Sequence, residues 1–219
     1  LRCCTGGSIL LDADQEVPPQ KDAFFMKYRF YFEEYTMQRN AFRVWWSTEA
    51  VNNEYDVPKS TANCSDPATP VEECQHVIRS VFHGVDMLSL GSGCMMQGDI
   101  NACGNVTRIR EEDNGQFELV YAGAHCHAPA CDRMELWNAD TGELLCEVKA
   151  TYGKEAMCDL ALPPCVWGTE AEGLKPPPVL VLNSNLTVVK YANNTNGHWG
   201  TMALWQMRAA YVTKPMLIV

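Results

Sequence analysis

Only five histidines occur in the 219 residues, and two of them stand in Ala124-His125-Cys126-His127. On a β-strand, side chains at i and i+2 share a face. His125 and His127 are therefore expected to point to one site while Cys126 points away. A third histidine opens His198-Trp199-Gly200-Thr201-Met202. Simple alternation puts His198 and Met202 on a common face too, with only Gly200 between them. If the two strands are neighbours, two imidazoles and a thioether converge, with His198 as a fourth donor. Imidazole plus thioether is a soft set that suits Cu(I), whereas zinc takes thiolate, imidazole or carboxylate. From spacing alone a plainer alternative stays open: the His-x-His strand hydrogen-bonds across a sandwich edge, and Met202 is ordinary core. A rival metal set joins His125, Cys126, His127 and Cys131. It is weaker, because Cys126 faces away and is expected to be oxidised.

Other chemistry-bearing residues lack a setting. Ser89-Leu90-Gly91-Ser92-Gly93 has no following helix, so it is no phosphate cradle. Asp140 and Glu143 sit on a turn, and His76 and His83 lie in a strand-like segment without a recognisable partner. No serine or cysteine nucleophile stands beside a base.

The elements that must position the histidines read as strands. Phe24 to Phe32 alternates, with Phe24, Met26, Tyr28, Phe30 and Phe32 on one face. Phe42 to Trp46, Val77 to Phe82, Gln116 to His127, Arg133 to Trp137, Leu144 to Ala150, Val179 to Leu182, Leu186 to Tyr191 and His198 to Val212 follow. Asn138 to Gly142 and Asn183 to Asn185 read as hairpin turns, and residues 52–71 as one long Pro- and Asn-rich loop. No amphipathic helix or internal repeat appears. The fold class is all-β: a single domain over 1–219, a two-sheet antiparallel sandwich or jelly roll of roughly eight strands.

Composition sets the surroundings. An apolar fraction of 47% is enough for a real core, so disulfides would add to one rather than replace it. A net charge of −10 leaves no basic face for nucleic acid. Eleven cysteines, Cys3, Cys4, Cys64, Cys74, Cys94, Cys103, Cys126, Cys131, Cys146, Cys158 and Cys165, are scattered without Cys-x-x-Cys spacing. Such scatter indicates an oxidising compartment, with at least eight of them paired and at least one left free, metal-bound or joined to another chain. Cys126 with Cys131 and Cys94 with Cys103 are the preferred local pairs. Sequons at Asn63, Asn105, Asn185 and Asn193 add N-linked glycans to the expectation of an extracellular, secreted chain. No stretch approaches a membrane span. The opening at Leu1-Arg2 is expected to be that of a processed or partial product. The apolar tail 213–219 is expected to pack on its own sheet or to add as a strand to another extracellular subunit, so partners or self-assembly are anticipated.

At these residues the chain resembles the carboxy-terminal part of the plant stress-up-regulated nodulin proteins. The likeness runs through Cys3-Cys4, Tyr28 to Tyr35, Glu73-Cys74 and Val120-Tyr121-Ala122-Gly123-Ala124-His125-Cys126-His127. It continues through Gly142-Glu143-Leu144-Leu145-Cys146, Thr151-Tyr152-Gly153-Lys154 and His198 to Trp205. That family is similar in turn to the second domain of the ascorbate-dependent copper monooxygenases. The resemblance implies a jelly-roll-like sandwich with His125, His127 and Met202 as copper ligands, and His198 has a counterpart in the nodulin family only. Ala128-Pro129-Ala130-Cys131 departs from the glycines expected after the second histidine. A monooxygenase also needs a second copper, on a preceding domain. The chain by itself is therefore expected to be a structural or interaction module with a mononuclear copper site. The alternative is the copper domain of an oxidoreductase completed by another domain.

Overall fold

The structure, a computed structural model, describes residues 28–30, 41–47, 54–83, 109–111, 113–128, 130–152 and 160–212. Twelve strands occur among them: β1 (Ala41–Ser47), β2 (Glu54–Val57), β3 (Gln75–His83), β4 (Gln116–Cys126), β5 (Cys131–Asn138), β6 (Glu143–Lys149), β7 (Thr151–Tyr152), β8 (Leu160–Ala161), β9 (Cys165–Val166), β10 (Val179–Val181), β11 (Asn185–Asn193) and β12 (His198–Tyr211). One sheet runs β1-β12-β4-β10, with β2 also on β12 and β9 also on β4; the other runs β3-β11-β5-β6. The pairings of both sheets are antiparallel. The pair β7-β8 stands apart.

The sheets pack face to face because alternation gives each an apolar side. Phe117, Leu119, Ala122, Trp205 and Met207 from one meet Phe82, Met134, Leu136, Val148, Leu186 and Val188 from the other in a single cluster. Each Phe, Leu, Met or Val among them contributes roughly 1.5–3 kcal/mol on burial. Two disulfides cross the layers. Cys126–Cys131 joins the end of β4 to the start of β5, and Cys146–Cys165 joins β6 to β9. A third, Cys64–Cys74, closes the loop before β3. The expected pair Cys126–Cys131 is present; Cys3, Cys4, Cys94, Cys103 and Cys158 lie outside the described residues.

Three expectations are corrected. Residues 52–71 are not one loop, since β2 lies inside them and pairs with β12; Pro and Asn on either side masked a four-residue strand. Tyr28–Phe30, the described part of the first alternating run, is exposed and outside any strand, with its two rings stacked at 6.3 Å. Alternation marks a face but does not supply a partner. Asn183 to Asn185 is not a hairpin. β10 pairs with β4 while β11 pairs with β3 and β5, so the turn carries the chain from one sheet to the other. Ser184 holds this corner by accepting the Val181 N–H on its Oγ at 3.0 Å. The Asn138 to Gly142 turn does join paired strands. Asn138 Oδ1 accepts from the amides of Asp140 and Thr141, and Gly142 takes the left-handed φ of 73° that closes it. The tail 213–219 lies outside the described residues.

Candidate metal centre

β4 and β12 are neighbours, with Ala203 opposite Cys126 and Leu204 opposite His125. One step further along the ladder, Met202 comes opposite position 127. Cys126 is buried in the core and bonded to Cys131. His125 and His127 therefore belong to the outer face of the six-stranded sheet. Both are half-buried, with ring centroids 5.3 Å apart and planes nearly perpendicular. Met202, also half-buried, takes the same face by register with Leu204.

The position of His127 is fixed by a bond that also sets its tautomer. Its Nδ1 lies 2.8 Å from Gly200 O. A carbonyl only accepts, so Nδ1 carries the hydrogen and donates it, leaving the Nε2 lone pair for a ligand. Orientation of a ligating imidazole through its second nitrogen is the usual arrangement at metal sites. Burial lowers the pKa of both rings and the nearby charge of Lys190 lowers each further, while at His127 the Gly200 bond partly opposes this. The net lowering favours the neutral imidazole that a metal requires.

His198 does not join them. Between His198 and Thr201 the β12–β2 register shifts: His198 pairs with Val57 and Thr201 with Tyr55, so two residues of β12 oppose the single Asp56. Gly200 sits in this bulge with φ 63°, and its N–H donates to Asp56 Oδ1 at 3.2 Å. The extra residue flips the alternation. His198 thus shares the inward face with Thr201, Ala203 and Trp205, all buried, while Met202 takes the outer one. The glycine read as an open slot is the cause of the reversal. Alanine at 200 would have to hold a left-handed backbone, at a cost of roughly 1–2 kcal/mol. Gly200→Ala is expected to lower the thermal midpoint and to loosen the His127–Gly200 bond, read by NMR as loss of the fixed Nδ1–H tautomer.

The rival set fails, because both of its cysteines are in the disulfide. Among the described residues no group of three His, Cys, Asp or Glu side chains gathers. On the same face by register, Met202 offers the pair a thioether. His76 lies on the inward face of β3, opposite Ala192, with its pKa lowered by burial and then by Lys190. It belongs to the inter-sheet space and not to the outer face. His83 ends β3 beside Asn185 in register.

Two residues of this neighbourhood gave no usable sequence signal. Lys190 is fully buried between the sheets, its Nζ donating to Met202 O at 2.9 Å and standing 5.2 Å from the Tyr55 ring centre. Desolvation lowers its pKa to about 7, partly opposed by Asp132. Tyr121 lies two residues before Gly123 on the His125 face. A Cβ on Gly123 would come 2.6 Å from the Tyr121 hydroxyl, so the phenol leans over the glycine along β4 in the direction of His125. A glycine two residues after a tyrosine in a strand is the pattern that allows this.

No family model, no curated protein and no solved structure matches the chain. Among the described residues no helix is long and apolar enough to cross a membrane.

Proposed function

We propose that this chain is a secreted, N-glycosylated β-sandwich module with a structural or interaction role outside the cell, and that it holds one Cu(I) ion through His125, His127 and Met202. The observation that carries the metal part is the imidazole pair at 5.3 Å on one face, with His127 locked through Nδ1 to Gly200. The three disulfides among the described residues support the oxidising compartment. When bound, the ion would supply a soft, redox-active centre. The chain's own part is to present two neutral imidazoles and a sulfur from adjacent strands.

The test is competition against a chromophoric Cu(I) chelator under anaerobic ascorbate. Met202→Leu keeps the packing volume and removes the sulfur; Cu(I) affinity is expected to fall at least about tenfold, equivalent to ~1.4 kcal/mol, with the thermal midpoint nearly unchanged. His198→Gln, on the opposite face, is expected to leave the affinity intact. Equal affinity in wild type and Met202→Leu would defeat the copper reading. The oxidoreductase alternative adds a second domain to the same site. Ascorbate-dependent oxygen uptake by the longest natural chain would favour it.

A further inference from the structure

The sequons of this chain are not equivalent once folded. Asn185 opens β11 just past the corner between the sheets. Its Nδ2 donates to Asp140 Oδ1 at 2.7 Å, its backbone N–H donates to Asp140 Oδ2 at 2.8 Å, and its backbone carbonyl accepts from Ala139 at 2.7 Å. Asn185 is half-buried, and its Oδ1 is buried outright. The side-chain amide is thus buried at its oxygen and tethered at its nitrogen. One end is held by a carboxylate, whose charge-assisted bond is about twice as strong as a neutral one. The Asn185-Leu186-Thr187 sequon is built into a clasp between the Asn138 to Gly142 turn and β11. Thr187, its hydroxyl residue, is also buried.

Asn193 is the opposite case. It ends β11, is exposed, and accepts the Thr195 N–H on Oδ1 at 2.9 Å, the bond of an Asx turn. Among the described residues nothing holds its Nδ2. The next residue, Asn194, is buried and anchors the segment: its N–H donates to Cys74 O, its Nδ2 to Pro58 O, and its carbonyl accepts from Ser60. Asn193 therefore projects from a rigid base. Asn63 immediately precedes the disulfide-closed loop tied to that base. It is exposed, and its backbone carbonyl takes the Asp66 N–H and the Thr69 hydroxyl, which leaves the side chain outside the loop's own bonds.

We infer that Asn193 and Asn63 are the glycan acceptors of the described part of the chain and that Asn185 is withheld, its amide serving as a structural clasp. This rests on the extracellular reading above. The co-reactant is an oligosaccharide linked to a lipid pyrophosphate. The bond from its anomeric carbon to the phosphate oxygen breaks, the bond to Asn Nδ2 forms, Nδ2 loses one proton, and the lipid pyrophosphate leaves. A sugar on Asn185 would take one of the two Nδ2 hydrogens and crowd Asp140 and the buried Oδ1, so glycosylated chains would close the corner less well. Both acceptors would then cluster on one end of the sandwich, around the Cys64–Cys74 loop.

The full chain is secreted from a eukaryotic host behind a signal peptide and deglycosylated enzymatically in ¹⁸O water, and occupancy at each site is read by mass spectrometry. Asn193 and Asn63 are expected to be largely occupied, and Asn185 at least tenfold less. Asp140→Ala, which opens the clasp, is expected to raise Asn185 occupancy severalfold in the secreted material. Asp140→Asn, which keeps a weaker clasp, serves if the alanine variant is retained in the cell. High occupancy of Asn185 in the wild type, with Asn193 also occupied, overturns the inference and leaves the extracellular reading standing. Secretion without sugar on any of the three overturns the inference and the glycoprotein reading together.

Discussion

Replacing Lys190 by Met is expected to stabilise the domain at pH 7 by about 2–4 kcal/mol and to flatten its stability between pH 7 and 10. The ammonium is buried between two sheets, with a carbonyl and an aromatic face for company and Asp132 as the opposing charge. Its pKa is lowered from 10.5 to about 7, and each unit corresponds to roughly 1.4 kcal/mol. The folded state binds fewer protons than the unfolded chain throughout that window. Stability linked to this group is thus present in full above 10.5, declines as pH falls toward about 7, and is level below it. Methionine removes the charge at similar length but leaves Met202 O without that donor, which costs about 1–3 kcal/mol and sets the lower end of the range. Urea unfolding of wild type and variant from pH 6 to 9.5 checks this. A wild type that does not gain stability on going from neutral to alkaline pH, or a variant weaker than wild type at pH 7, would show that the lysine is worth more as a donor than it costs as a buried charge.

Loss of the Cys146–Cys165 bridge is expected to cost about 3 kcal/mol, against about 2 kcal/mol for Cys126–Cys131. The separations of 19 and 5 residues set this order, since the longer loop restrains the unfolded chain more. The longer bridge also ties β6, at the edge of its sheet, to the opposite layer. For a chain of this size the double alanine variant at 146 and 165 should lose roughly 6–12 °C in thermal midpoint. The variant at 126 and 131 should lose less in stability but disturb the histidine pair, since the half-cystine lies between the two imidazoles. Thermal unfolding in parallel with Cu(I) titration separates the two effects. If both variants lose the same midpoint, loop length is not what the bridges contribute.

Much of the frame was legible in residue order. Period-2 alternation located β3, β4, β5, β6, β11 and β12 and put His125 and His127 on one face, because a pleated strand leaves no other choice. Pairing was less legible. The Asn183 to Asn185 turn looked like any hairpin turn, yet its two strands join different sheets, and turn chemistry carries no record of what lies beyond the next residue. The bulge at Gly200 was invisible for a related reason: a single left-handed residue reverses every side chain on one side of it, and glycine signals that freedom without saying whether it is used. Lys190 illustrates the limit most sharply. One lysine among Thr187, Val188, Val189 and Tyr191 reads as a polar face, and only the register with Ile78 and Met134 shows that it points inward.

The order in which the chain is made adds a consequence of the sheet's pairing. β12 lies at the centre of the six-stranded sheet and is hydrogen-bonded to β1, β2 and β4, with Ala41 paired to Ala210 across most of the sequence. During synthesis those three strands emerge well before their common partner. Their open edges must wait until residues near 211 leave the ribosome. Contacts of such long range form slowly, because a large loop has to close first. Nascent chains are therefore exposed to mispairing and to chaperones while the residues between β1 and β12 are made. His127 gains its Gly200 anchor only when that last-arriving strand docks, so copper offered earlier in the life of the chain would meet the histidines without their frame.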